Sequence, residues 1–405
     1  MERHLKQVYT VGSILPNHGD RMSIFYGPWW FSPVAMASIM IAYIIGMLVM
    51  ILGAYLIAPR VARRIGGRLS LRLSMIILGA VILVGGVSAL LFLAGLTLAA
   101  LGIQGDALTG LFVVLSVVLF VLILNGITYL ISPWMINLMY RARRDGDLQR
   151  IVDEVAYQAG FKKPPKAVVV EGPPNAFAYG NFLAGRWVAV SSEMIRITSE
   201  NELKAVIGHE LGHHKHGDNA IMLFMGLIPS TLYYFGLMLI QASFYYSGMS
   251  SRRDRSSGGI VFLAAGVVAI VLSFLLQILV LAFSRLREYY ADAHGAKVAG
   301  ARSMQRALAK LHVYYNFNRY AKSAISDSKL KALFIYAFTE AFANPYYPAY
   351  LPRPPGDIRD IDIDDVIEEL RRVNTSSPEE FFSTHPPIPK RIRFLDEIEA
   401  RPIKA

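Results

Sequence analysis

Apolar residues along this chain come in long unbroken runs separated by stretches of mixed polarity. Pro33 to Ala58 contains no charged residue, and neither do Leu73 to Gly102, Leu108 to Ser132, Ala220 to Ser247 and Ile260 to Phe283. About 20 such residues cross a hydrocarbon core as a helix, so five membrane spans are expected. Trp29, Trp30 and Trp134 sit at segment ends, where interfacial aromatics belong. The runs divide the chain into a polar amino-terminal segment (1–32), three transmembrane helices (33–132), the first half of a soluble domain (133–219), a transmembrane hairpin (220–283) and the second half of that domain (284–405). Residues 1–32 lack the basic start, apolar core and cleavage site of a removable signal peptide.

The soluble halves carry different periodicities. Leu148, Ile151, Val152 and Val155 follow helical spacing, whereas Ala167 to Val170 and Trp187 to Val190 read as strands flanking a Gly- and Asn-bearing stretch, 172–185. A small antiparallel sheet is expected from them. Ser199 and Glu202 form a capping-box signature that starts a helix ahead of Leu203, Val206, Ile207 and Leu211. A helical stretch from about Ser284 through Val313, a Pro-rich aromatic loop at 344–356 and a short acidic helix, 362–373, complete the chain. The expected fold is an α-helical integral membrane protein with an α+β domain, mostly helical.

Composition agrees with a membrane protein: 54% of the 405 residues are hydrophobic. The net charge of +11 comes from arginines beside the apolar runs rather than from a Lys-rich tail, which fits positive-inside loops and implies no nucleic-acid partner. Arg60, Arg63, Arg64, Arg68 and Arg72 crowd the first loop, and Arg141, Arg143 and Arg144 follow the third span. Both soluble portions should then face the cytoplasm, against the contrary vote of Arg252, Arg253 and Arg255 in the turn between spans four and five. The absence of cysteine excludes disulfides, thiolate metal sites and cysteine nucleophiles. Any metal must use His and carboxylate. Asn374-Thr375-Ser376 matches a glycosylation acceptor by chance, since it falls on the cytoplasmic side.

That chemistry is present in His209-Glu210-Leu211-Gly212-His213. One helical turn apart, His209 and His213 project from the same face and can share one zinc ion, while Glu210 between them can take a proton from a bound water. Zinc needs a third protein ligand and an open fourth position. Glu288 is the candidate ligand, and Asp292, one turn along, can accept the free N–H of a zinc histidine. His385, ahead of Pro386, offers a donor to the oxyanion of a tetrahedral intermediate. His214, His216 and His294 read as solvated or as outer partners of the site, and His4, His18 and His312 receive no role.

These residues, together with Asn175-Ala176-Phe177-Ala178 and with Arg391 six residues after His385, resemble the HtpX family of membrane zinc metallopeptidases over roughly residues 140–400, and more distantly the CAAX prenyl endopeptidase. The resemblance implies a gluzincin-type domain facing the cytoplasm of a multi-pass plasma-membrane protein, with one Zn2+ per chain. It implies an endopeptidase acting on polypeptides in or near the bilayer, often misfolded or damaged ones. His385 and Arg391 are implied to stabilise the transition state, and the strand near Asn175 or Trp187 to hold substrate backbone. The chain departs from the family's usual four spans by one extra apolar run and its polar start. Two other readings use the same residues: a prenyl-protein CAAX endopeptidase, and a non-catalytic zinc-binding scaffold or transporter. Transport is disfavoured because the spans hold only Asn125, Gln241 and Gln277 as polar amides and no ionisable group suited to a pathway.

Overall fold

A computed structural model of the chain describes residues 68–100, 107–249, 257–317, 361–373 and 383–400. The apolar run at 33–58, the arginines at 60–64, the turn bearing Arg252, Arg253 and Arg255, the Pro-rich loop and Asn374 lie outside the described residues. All described residues belong to one compact unit, Met50–Ala405.

Four described helices are long and apolar enough to cross a membrane. They are α1 (Arg68–Ala100), α2 (Ala107–Met139), α6 (Asp218–Met249) and α7 (Ser257–Ala299). Ile76, Val84, Phe112, Leu119 and Ile123 are exposed on α1 and α2, as lipid-facing side chains should be. The inward faces pack through small residues. A Cβ on Gly236 of α6 would stand 2.8 Å from the Gly266 carbonyl oxygen of α7, and one on Gly86 of α1 would stand 2.0 Å from Ile228 Cγ2. Close backbone approach of this kind is how helices associate in lipid, where burial of apolar side chains drives nothing.

The remaining elements are β1 (Arg143–Arg144), α3 (Gly146–Gln158), β2 (Lys166–Val170), β3 (Ala176–Asn181), β4 (Gly185–Ser191), α4 (Ser192–Ile197), α5 (Glu200–His216), α8 (Ala301–Phe317), α9 (Ile363–Arg372) and α10 (Ile388–Ala400). The sheet runs in the order β1-β2-β4-β3, with β3 at the edge. It is mixed rather than antiparallel, because β2 pairs with β4 in parallel while β3 returns antiparallel to β4. The Gly- and Asn-bearing stretch 172–185 contains a strand of its own, and inserting it turns the two flanking strands into a parallel crossover pair.

Amphipathic α3 buries Leu148, Val152 and Val155 in a core shared with β2, β4, α5, α8 and α9. The capping box is formed at the start of α5, where Ser199 Oγ accepts from the Glu202 amide and the Glu202 carboxylate accepts from the Ser199 amide. Lys310 and Arg306 of α8 meet the same buried carboxylate at 2.7 and 3.1 Å, tying α5 to α8. The expected helix beginning at Ser284 is instead the unbroken continuation of α7. At about 1.5 Å per residue its 43 residues exceed twice the hydrocarbon thickness. Arg285 marks where it leaves the apolar run, and Gly300, at φ 87°, ends it in a conformation that other residues resist.

Candidate active site

Helix α5 lies against the polar extension of α7, and glycines set the spacing. A Cβ on Gly208 would stand 3.1 Å from Gly295 Cα, and one on Gly212 would stand 3.1 Å from Ala291 Cα. Larger residues would push the helices apart and separate the side chains that meet between them. His209 and His213 of α5 bring their Nε2 atoms within 3.2 Å of each other. Glu288 of α7 presents Oε2 at 3.5 Å from His209 Nε2 and Oε1 at 3.5 Å from His213 Nε2. These three residues offer ligand atoms that all lie within 4.8 Å of one another.

The tautomers follow from what the far side of each ring touches. His209 Nδ1 donates to Asp292 Oδ1 at 2.9 Å, and His213 Nδ1 donates to Asp218 Oδ2 at 2.6 Å. Both Nε2 atoms therefore carry lone pairs aimed at the same point, beside the buried Glu288 Oε2, which has no hydrogen-bond partner among the described residues. Only a cation satisfies three acceptors turned inward together. Burial opposes charge on His209, but Asp292 and Glu288 overcome it and hold its pKa up to about 10, so the cluster favours positive charge at this point and a metal ion takes the place of a proton there. This donor set fits a metal ion.

Each outer carboxylate is itself held by an arginine. Arg391 Nε and Nη2 reach Asp292 Oδ2 and Oδ1 at 2.8 and 2.5 Å, and Arg287 Nε lies 3.0 Å from Asp218 Oδ2. Arg391, expected beside His385 as a direct stabiliser, is buried; its Nε and Nη2 hold Asp292 while its Nη1 stands 3.9 Å from Glu288 Oε2, beside His385. His385 does face the cluster: its Nε2 lies 3.5 Å from Glu288 Oε2, its side chain is largely exposed, and Arg285 Nη1 anchors its loop through the Ser383 carbonyl at 2.8 Å. Asp218 was not anticipated from the sequence. Its signal is Gly217, whose left-handed φ of 67° ends α5 and turns the next residue back toward the last histidine.

Glu210 is buried, and burial pushes its carboxyl above the ordinary range against the pull of His209 and His213. Its Oε2 accepts from the Ala178 amide of edge strand β3 at 2.8 Å. Asn175, just ahead of β3, has its backbone tied to Ser191. His214 and His294, expected as solvated or outer groups, are struts: His214 Nε2 donates to the Trp187 carbonyl at 2.8 Å and His294 Nδ1 to that of Gly208 at 2.9 Å. Burial lowers the His214 pKa to about 4, so it stays neutral as a strut must.

The outer pair yields a first expectation. Asp218→Asn leaves the His213 ring able to bond but removes the charge that fixes its tautomer. Metal affinity should fall about 10- to 100-fold, measured by competition with a chromophoric chelator.

Comparison with known proteins extends this picture. A sequence model described as peptidase family M48 matches residues 142–399. The "Protease HtpX homolog" of Pyrobaculum aerophilum is 46% identical over 369 residues, covering 91% of this chain and 99% of the relative. Its namesake from Archaeoglobus fulgidus is 45% identical over 370 residues, covering 91% and 98%. Among solved structures, S. mikatae Ste24p aligns with a TM-score of 0.41 at 18% identity, covering 81% of this chain and 67% of that one. A metal-binding cluster at the end of membrane helices, in a chain so closely related to proteases, defines a membrane metalloprotease. The chain belongs to peptidase family M48.

Proposed function

We propose that the chain is a zinc-dependent endopeptidase that cuts membrane proteins, misfolded or damaged ones among them. The observation that carries this reading is the spacing of the three acceptors. Ligands about 2.0–2.1 Å from a tetrahedral zinc stand about 3.3–3.4 Å apart; the two Nε2 atoms stand 3.2 Å apart, and each has a different Glu288 oxygen at 3.5 Å, so the carboxylate faces both rings within a zinc ion's reach. His209, His213 and Glu288 would hold one zinc per chain, leaving a fourth position for water or substrate. When bound, zinc supplies Lewis acidity and lowers the pKa of water.

The chain's own residues do the rest. Glu210 takes the proton of the attacking water and returns it to the leaving amine nitrogen. His385, exposed beside Glu288, donates to the oxygen of the scissile carbonyl as charge develops there. Asp292 with Arg391, and Asp218 with Arg287, fix the two histidine rings so that neither swings when substrate enters. The open side of β3, including Asn175, accepts an extended substrate strand. The arginines that follow α2 support a catalytic domain facing the cytoplasm, in a plasma-membrane protein.

The test is cleavage of an unlipidated single-span membrane protein by the full chain in lipid vesicles. Activity should disappear with a zinc chelator and return with added Zn2+. Cleavage untouched by the chelator would overturn the zinc reading, and cleavage confined to prenylated substrates would replace the endopeptidase by its CAAX relative.

A further inference from the structure

The turn between β3 and β4 is apolar at its tip. Phe182 is 78% exposed and Leu183 62% exposed at its tip. Tight turns in water favour Asn, Asp, Gly and Ser, so an aromatic and a leucine held outward call for a medium other than water. They are held there firmly. Asn181 Oδ1 accepts from the amides of Leu183 and Ala184 at 3.0 and 2.8 Å, which builds the turn.

The other end of the same side chain locates the turn. Asn181 Nδ2 donates to the carbonyls of Tyr129 and Leu130 on α2, at 2.8 and 2.9 Å. Pro133 lies inside α2 and has no N–H, so the Tyr129 carbonyl lacks its helical amide donor and accepts instead from the Ser132 hydroxyl at 3.0 Å and from Asn181. The hairpin thus docks at the point where the proline opens the helix ladder. Tyr129 and Leu130 fall within the Leu115–Met139 span, and their carbonyls point to the level of residues 133 and 134, where Trp134 is half exposed. The hairpin tip therefore shares the level of an interfacial tryptophan.

Its root has the matching chemistry. Trp187 Nε1 donates to the Ala184 carbonyl at 3.0 Å, and Lys166 Nζ stands 4.6 Å from the Trp187 ring centroid. Lys166 and Arg144 are exposed around it, and neither pairs with a carboxylate among the described residues. Apolar tip, tryptophan and cations follow one another in the order of acyl chain, interface and anionic headgroup.

We infer that the β3–β4 hairpin dips into an anionic phospholipid bilayer beside α2, with Phe182 and Leu183 among the acyl chains and Lys166 and Arg144 at the headgroups. Because β3 also contacts Glu210 through Ala178, the dip sets the substrate-facing strand at the membrane surface. This second consequence rests on the proposed protease reading; the lipid contact does not.

The chain has no cysteine, so single replacements can be labelled cleanly. Phe182→Cys, Leu183→Cys and, as a water-exposed control on α9, Asp365→Cys would each carry a small environment-sensitive fluorophore. The full chain would be reconstituted in phosphatidylcholine–phosphatidylglycerol vesicles. Lipids with a nitroxide near the headgroup should quench positions 182 and 183 by about half and the control barely, with aqueous iodide showing the reverse, as for side chains about 5–10 Å into the interface. Iodide quenching at 182 equal to the control would overturn the inference whatever the enzyme's activity. In the same vesicles, Phe182→Ser with Leu183→Ser should slow cleavage of a membrane-anchored substrate about fivefold or more while a soluble peptide is cut normally. Equal loss on both substrates, or none on either, would also contradict it.

Discussion

Glu210→Gln should keep its metal and lose its chemistry. The amide has the carboxylate's shape, so its oxygen can still accept from the Ala178 amide and the strand β3 stays in place. It cannot take up a proton. A general base of this kind contributes about 10²- to 10⁴-fold, so cleavage should fall about a thousandfold, with metal content unchanged. Thermal stability should hold or rise, since the substitution removes a buried charge whose ionisation burial already opposes. The measurement is a gel assay of a membrane-protein substrate alongside metal analysis of the same preparations. Retention of more than about a tenth of the activity would remove Glu210 from the role of base.

Glu288→Ala should fail in the opposite way, losing the metal first. The two histidines alone leave two positions to water, and the negative charge that faces both Nε2 atoms is gone. The drop in affinity should exceed the roughly hundredfold that loss of an outer partner costs, and so be larger than in Asp218→Asn. Activity should vanish with it and return in part at high metal concentration. Glu288→Gln is the companion variant, keeping the side chain's volume between α5 and α7 so that packing and ligation are separated.

The grouping of His209, His213 and Glu288 was legible because its parts obey local rules. One turn between His209 and His213, one turn between Glu288 and Asp292, and a capping box fixing where α5 begins are short-range features. What crosses between elements was harder to read. Asp218 lies beyond a helix break, and nothing in its spacing says that the chain turns back until Gly217 is seen in a left-handed conformation. The ion pair of Arg391 with Asp292 joins α10 to α7 across 99 residues, and no local spacing announces it, although Arg391 Nη1 also stands 3.9 Å from Glu288 Oε2 beside His385.

Strand β3 was implied only by the family resemblance, near Asn175, because Ala176 to Asn181 lies in a stretch rich in glycine and asparagine, the usual marks of a loop. Its alternation of Phe177, Tyr179 and Asn181 toward the buried side was nevertheless present. Leaving it out of the sheet cost the topology, since a strand that returns antiparallel to β4 is what lets β2 and β4 run parallel. The helix of Glu288 leaves the fifth apolar run without a break, although composition changes there. Arg285 ends the hydrophobic run but not the helix, as no proline or left-handed glycine intervenes before Gly300. That continuity lets one rigid element carry Glu288 out of the bilayer to meet α5.

The central claim is that His209, His213 and Glu288 hold one zinc ion and leave a fourth position open. X-ray absorption at the zinc edge, on the full chain in lipid with its metal content counted, tests it most directly. The account predicts one zinc per chain with two imidazole nitrogens, carboxylate oxygen and a further light atom at about 2.0–2.1 Å, and a collapse of that pattern in Glu288→Ala. A zinc-free active enzyme, or a spectrum that Glu288→Ala leaves unchanged, would contradict it.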